Sequence, residues 1–312
     1  MILRYGLAMF ALLSIQATLF AGEFTVEKSD DGVTVKLDGQ LMTRYLVKSE
    51  CKPILWPVIG PSGKEMTRGY PMRAATAEEK ADHPHHRSFW FTHGLVNGVD
   101  FWSEGANHGN IIHREFVKIE GGKQAVISTR NDWLSSKGDK VCDDLRTFTF
   151  GADDQSRWID VDLVVNASPG DVTFGDTKEG AFGVRVAGTM DVKAKKGGRI
   201  INSEGQTDGD TWGKPAAWVD YQGPVANEKV GIAIMNHPSS FRYPTTWHVR
   251  DYGLFCANPF GLHDFDPAKG QKGDHKINAG ESMTLRYRVL LHRGDEKQGR
   301  VKEVFAEYAK AK

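Results

Sequence analysis

Eleven histidines are spread unevenly along this chain, and the densest group is where chemistry would first be sought. Asp82–His83–Pro84–His85–His86–Arg87 runs directly into Ser88–Phe89–Trp90–Phe91–Thr92–His93–Gly94. Imidazoles beside a guanidinium and an indole are costly to bury without purpose, and they suit a site that protonates or polarises oxygen atoms. Pro84 favours an extended approach for His83. If the segment runs on as a strand, His85, Arg87 and His93 share one face, and His86 points with Trp90 to the other. A metal site would need two or three imidazoles converging, usually with a carboxylate. The HExxH spacing is absent, so no cofactor is expected; His83, His85 and His86 would be the ligands if a metal were bound.

A second constellation lies far downstream, from Met235–Asn236–His237–Pro238 to Tyr243–Pro244–Thr245–Thr246–Trp247–His248–Val249–Arg250–Asp251–Tyr252. The apolar run Val230 to Met235 ends in Asn-His-Pro, which puts His237 on the rim of a sheet. Period-2 counting places Thr246, His248, Arg250 and Tyr252 on one face, with His248 and Arg250 about 7 Å apart on a polar stripe fit to grip a hydroxylated or anionic ligand. A third group, Gly175–Asp176–Thr177–Lys178–Glu179–Gly180, precedes the apolar run Ala181 to Val186. Glu179, at a strand mouth and beside apolar residues, is the foremost carboxylate for acid/base work. Trp212 and Trp218 add aromatic faces of the kind that stack on sugar rings, although tryptophan also fills cores.

The elements that must position these groups are strands. Phe24–Glu27 and Val33–Leu37 alternate apolar with polar around the turn cluster Ser29–Gly32. Similar runs recur at Ala125–Thr129, Arg146–Phe150, Trp158–Val165, Phe182–Val186, Val230–Met235 and Met283–Leu291. Thirty-four glycines serve the tight turns between them. The pattern predicts a mostly β protein, a large antiparallel β-sandwich rather than alternating βαβ units. One helix is expected after Asp295, where Val301, Val304, Phe305 and Tyr308 mark a single apolar face; it should lie on the sandwich edge.

The N-terminus reads as an export signal covering residues 1–21: Arg4, an apolar stretch from Tyr5 to Phe20, then the small residues Ala21 and Gly22. The mature chain, residues 22–312, is expected to be one structural unit, periplasmic or secreted, with no membrane association after cleavage. Forty basic against forty acidic side chains argue against a nucleic-acid partner. The three cysteines form no CxxC pair, and Cys256 reads as a small buried hydrophobe.

DHPHHRSFWFTHGLVNGVDFW (82–102), GDTKEGAFGVRVA (175–187), WVDYQG (218–223) and NHPSSFRYPTTWHVRDYGLFCANPFG (236–261) resemble a bacterial family of secreted proteins labelled methane oxygenase PmoA. Carried onto this chain, the resemblance singles out His86, Arg87, Glu179, Arg185, His237, His248 and Arg250. By fold analogy it implies a galactose-mutarotase-like supersandwich, with Met283–Leu291 as a closing strand. The expectation is therefore a carbohydrate-active protein with a small-molecule or oligosaccharide ligand, acting by acid/base chemistry as an epimerase, lyase or hydrolase. His86, Glu179, His237 and His248 would be catalytic, and Arg87, Arg185, Trp212 and Arg250 would hold substrate. One alternative is a glycan-binding sandwich without turnover. Another is the metal-dependent oxidative enzyme that the family label implies.

Overall fold

The computed structural model describes residues 22–311, so the expected export signal lies outside the described residues. The first strands form an antiparallel meander: β1 (Phe24–Ser29), β2 (Gly32–Leu37), β3 (Gln40–Ser49), β4 (Lys52–Val58) and β5 (Phe89–His93). Then come β6 (Asn110–Glu120), β7 (Ala125–Leu134), β8 (Lys140–Ala152), β9 (Ser156–Asn166), β10 (Val172–Phe174) and β11 (Gly180–Arg185). The remaining strands are β12 (Arg199–Asn202), β13 (Trp218–Val225), β14 (Glu228–Asn236), β15 (Trp247–Val249), β16 (Leu254–Ala257), β17 (His275–Ile277) and β18 (Ser282–Arg293). They assemble into two eight-stranded sheets, ordered β1-β2-β3-β4-β5-β11-β16-β15 and β12-β13-β14-β18-β9-β8-β7-β6, with β10 and β17 paired apart. The mostly β, antiparallel sandwich expected from the alternation is what forms.

Period-2 side-chain placement explains the layers. Ile159, Val161, Leu163 and Val165 of β9 and Met283, Leu285, Tyr287 and Val289 of β18 all enter one core with Phe89, Phe91, Phe182 and Val184 of the opposite sheet. Phe182 stacks on Tyr287 across that interface, ring centroids 4.8 Å apart. A buried ion pair sits among these apolar residues. Arg146 donates to both oxygens of Asp144 at 2.9 and 2.8 Å, and Asn131 donates to the same carboxylate.

The C-terminal helix is present but shorter and differently seated than expected. It spans α2 (Val301–Tyr308), following the four-residue α1 (Leu262–Phe265), because Asp295 to Arg300 form turns in which Gly299 abuts the His292 ring. It covers the outer face of central strands, packing Val301 and Tyr308 on Trp218, Ala233, Met235 and Leu290, rather than the sandwich edge. The alternation of β14 and β18 leaves those residues facing outward, and they need a cover.

Candidate functional site

The outer face of the first sheet carries a second apolar cluster of Ile54, Trp90, Trp102, Leu254 and Cys256, and the histidine loop lies on it. Trp90, Gly183 and Cys256 form one row across β5, β11 and β16. A Cβ on Gly183 would meet the Trp90 ring at 2.9 Å and the Cys256 sulfur at 2.7 Å, so glycine is what lets the indole lie flat over the row. His86 stacks on Trp90 (5.6 Å between centroids), His83 on His86 (4.9 Å) and Tyr252 on His83 (5.2 Å), each pair within 12° of parallel. His85 meets His86 edge-on at 4.4 Å.

This ladder forms because the 82–88 segment is a loop and not the strand that continuous alternation would give. The strand begins only at Phe89. His83 takes a left-handed φ of 45°, and the His86 amide donates to the His83 carbonyl at 3.0 Å, closing a tight turn. The extended His83 that Pro84 favours is therefore not what forms; His83 takes the left-handed region, uncommon for a non-glycine residue, and the turn hydrogen bond holds it there. The buried Arg68 guanidinium fastens the turn from below, donating to the carbonyls of Tyr70, Lys80, His83 and His86 and to Asp82 at 2.8 Å.

Arg185, the last residue of β11, sets the state of His86. Its Nη1 donates to His86 Nδ1 at 2.9 Å, and its Nη2 donates to Asp82 at 3.1 Å. A guanidinium has no lone pair to offer, so His86 Nδ1 must be the acceptor and the ring proton sits on Nε2. Burial first, then the charges of His85 and Arg185, push the His86 pKa well below the ordinary value. His86 is therefore a neutral imidazole whose only donor is Nε2–H. Against the burial penalty, the Arg185 charge and the hydrogen bonds from His83 and Arg68 hold Asp82 below the usual carboxylate range.

Glu179 stands on a loop pinned from several sides. His93 Nε2 bonds the Gly175 carbonyl at 2.7 Å, Asn258 donates to the Thr177 and Lys178 carbonyls at 2.9 Å each, and His248 Nδ1 bonds the Lys178 carbonyl at 2.6 Å. The Lys178 amide donates to Asp264 at 2.8 Å. Gly94 admits the loop, since a Cβ there would stand 2.9 Å from Glu179 Cβ. Donation to a carbonyl puts the His248 proton on Nδ1 and leaves Nε2 as its lone-pair atom. Burial pushes the pKa values of His93 and His248 down to about 4.

These parts enclose a cavity of about 380 Å³ lined by His83, His85, His86, Trp102, Glu179 and Tyr252, with Asp100 and Ser103 on the remaining wall. Asp100 is committed to its own loop, accepting from the Trp102 and Ser103 amides at 2.7 and 3.0 Å. Beyond Tyr252, the Arg250 guanidinium lies 5.6 Å from the Tyr252 ring and 5.7 Å from Trp212, and Trp212 is edge-on to His248. The three segments around His86, Glu179 and His248 thus meet at one end of the first sheet.

Of the eight expected residues only His86 and Glu179 line this cavity. His248, expected to be catalytic, pins the Glu179 loop from outside it, Arg250 and Trp212 lie beyond Tyr252, and two others sit elsewhere altogether. His237 bonds the Ala311 carbonyl through Nε2 at 3.0 Å and packs against Tyr308, so it latches the C-terminal helix on the other sheet. Arg87 grips Glu104 in a fork of 2.6 and 2.8 Å and reaches Ser49. Against burial, that fork and the Lys52 charge hold Glu104 down to about 2. Arg185 sits beneath His86 and positions it instead of reaching out for substrate. The His83 and His86 rings lie face to face, which keeps their in-plane lone pairs from converging. No group of three or more His, Cys, Asp or Glu among the described residues is arranged to hold a metal ion. Tyr252 is the end of the stripe that period-2 counting marks, whereas Arg68, Asn258 and Asp100 carry no signal in the sequence, where each reads as an ordinary loop or sheet residue.

Residues 32–306 match the model of a family of unknown function, DUF6807, and the chain belongs to that family. No curated protein matches the chain. Among solved structures it is similar to a galactose mutarotase-like protein from Lactobacillus casei, at 9% identity and a TM-score of 0.38, covering 86% of this chain and 100% of that one. It is also similar to an alpha-galactosidase from Lactobacillus brevis (8% identity, TM-score 0.41), covering 92% of this chain and 41% of that one. A third similarity is to the Slr1438 protein from Synechocystis sp. (8% identity, TM-score 0.38), covering 91% and 100%. The methane oxygenase PmoA label has no counterpart among these matches.

Proposed function

We propose that this DUF6807 protein is a carbohydrate-active acid/base enzyme whose reaction is proton abstraction from a sugar, of the epimerase or lyase type. Glu179 is the base, and neutral His86 donates from Nε2 to the sugar oxygen on which negative charge develops. The observation that supports this best is the Arg185–His86 hydrogen bond, which fixes a neutral donor in the same cavity as a carboxylate on a pinned loop. A neutral imidazole stabilises a developing oxyanion without surrendering its proton, which enolate-forming chemistry needs. Hydrolysis of a glycoside would call for two available carboxyl groups, and the second carboxylate of the cavity, Asp100, is tied to its own loop through the Trp102 and Ser103 amides and the Ser103 hydroxyl. The Trp102 ring and the rim of the His83–Tyr252 stack border the cavity and supply apolar surface for one side of a sugar, as a pocket with few convergent polar groups requires.

The test is exchange of carbon-bound hydrogen. The purified chain is incubated in D2O with a panel of mono- and oligosaccharides, and deuterium incorporation, epimer formation and unsaturated products are followed by NMR and ultraviolet absorbance. Glu179→Gln should lower kcat by about 10²–10⁴, and His86→Phe by about 10²–10³. Binding of a sugar with no exchange in the wild-type chain would sink the enzyme reading and favour a glycan-binding sandwich.

A further inference from the structure

Three cations surround the Tyr252 ring: Arg185 at 5.0 Å, Lys193 at 5.5 Å and Arg250 at 5.6 Å. Two of them have carboxylate partners close by. Arg185 pairs with Asp82 at 3.1 Å, and Lys193 pairs with Asp251 at 3.2 Å. Arg250 has no carboxylate within ion-pair distance among the described residues, although its guanidinium is half-buried between the faces of Tyr252 and Trp212. Lys178, the nearest other cation on the Glu179 loop, is paired with Glu179 at 3.4 Å. A guanidinium partly withdrawn from water, with five donors in a fixed fork, is stabilised when a planar or tetrahedral oxyanion completes it.

The surroundings say what kind of molecule would bring that anion. Arg250 is held in place from behind by its backbone, since Tyr221 and Gly253 both donate to its carbonyl, at 3.2 and 3.1 Å. Its head is flanked by two aromatic faces, one of which, Tyr252, is also a wall of the Glu179 cavity. A ligand ring seated at the cavity-side edge of Tyr252, whose faces are taken by His83 and the cations, would therefore place a substituent within reach of Arg250 while its reacting carbon faces Glu179. A bare inorganic anion would use the fork and leave both aromatic faces unused.

We propose that the ligand of this site is an acidic sugar, a ring bearing a carboxylate or a sulfate ester, whose anionic group Arg250 receives between Trp212 and Tyr252. This rests on the carbohydrate reading of the cavity and narrows it to one substrate class. A carboxylate at the carbon next to the abstracted proton would also spread the charge that forms there, in keeping with a base at Glu179 and a neutral donor at His86.

The full described chain is tested on an array of immobilised oligosaccharides: uronate-containing, sulfated and neutral, with matched lengths. Affinities for the hits, and for inorganic sulfate and acetate as free anions, are then measured by calorimetry. The acidic sugars are expected to bind about tenfold or more tighter than their neutral counterparts, the gain of a charge-assisted fork. That advantage should vanish in Arg250→Gln, survive in part in Arg250→Lys, and shrink as salt is raised; the comparison of uronate with sulfate arms says which anion is preferred. An unchanged melting temperature of Arg250→Gln shows that the loss is one of contact rather than folding. Neutral sugars binding as tightly as acidic ones, or an acidic preference that persists in Arg250→Gln, overturns the acidic-sugar inference and leaves the carbohydrate reading standing. Sulfate or acetate binding as tightly as the sugar acids overturns both, as does an array with no hit at all.

Discussion

Replacing Arg185 by methionine should separate its two roles, holding the fold and holding His86 in one tautomer. The side chain is 3% exposed, and its loss strips the 2.9 Å donor from Nδ1 of a histidine that is itself 1% exposed. An orphaned buried acceptor of this kind costs about 1–3 kcal/mol. The contact to Asp82 adds less, because that carboxylate is 36% exposed and keeps Arg68 at 2.8 Å; such a partly solvated pair is worth about 0–1 kcal/mol. The sum, about 1–4 kcal/mol, corresponds to a fall in Tm of roughly 2–7 °C at an unfolding entropy of about 2.1 cal/mol/K per residue. The second readout is the ring itself. With a neighbouring cation gone, the His86 pKa should rise toward its ordinary value, although burial and His85 still hold it low. Both are measurable: calorimetry for Tm, and a pH titration of the His86 ring protons by NMR, assigned with His86→Gln. Arg185→Lys should recover part of the stability, since an ammonium is also donor-only and can hold Nδ1 as acceptor, but it lacks the fork that also reaches Asp82. A titration identical to wild type, with Tm unmoved, would refute the claim that this guanidinium governs His86.

The remaining predictions concern the whole chain. Stability should fall on acidification below about pH 6.5: His93 and His248 have folded pKa values near 4 against 6.5 ordinarily, so the unfolded chain binds protons first and the loss is complete only as pH drops through about 4. His292, paired with Asp220 at 3.0 Å, has the opposite sign, its pKa raised by that carboxylate against burial; its contribution is full below 6.5 and fades as pH rises past the raised value, so denaturant midpoints between pH 4 and 9 should show both flanks. Arg146→Met should cost about 3–5 kcal/mol in urea unfolding, because it leaves the buried Asp144 carboxylate short of its counter-charge; a loss under about 1 kcal/mol would contradict that account. Export through a bacterial secretion pathway should yield a product beginning near Gly22 by N-terminal sequencing, and a retained chain starting at Met1 would refute it.

Strand alternation was legible because burial on one face of a sheet imposes a period of two on the sequence itself. It located Trp158–Val165, Val230–Met235 and Met283–Leu291 correctly and placed His248 outward between the core residues Trp247 and Val249. Residue type alone also drew attention to His86, Glu179, His248 and Arg250, which are costly to bury unless partnered. What the sequence could not determine was pairing across long separations. Arg185 and His86 are 99 positions apart, His248 and the Lys178 carbonyl 70, and nothing local says that one donates to the other. His237 and Arg87 are of the same residue types as the His86 and Arg250 that gather near the Glu179 cavity, yet one bonds Ala311 and the other Glu104. The 82–88 segment departs from strand because His83 enters the left-handed well and Arg68 fastens the carbonyls that a sheet would have paired. Side-chain periodicity is a property of neighbouring residues and is written in order along the chain. Tautomer, charge state and the sharing of a cavity depend on which distant groups the two packed sheets bring within hydrogen-bond range, and only the tertiary structure decides that.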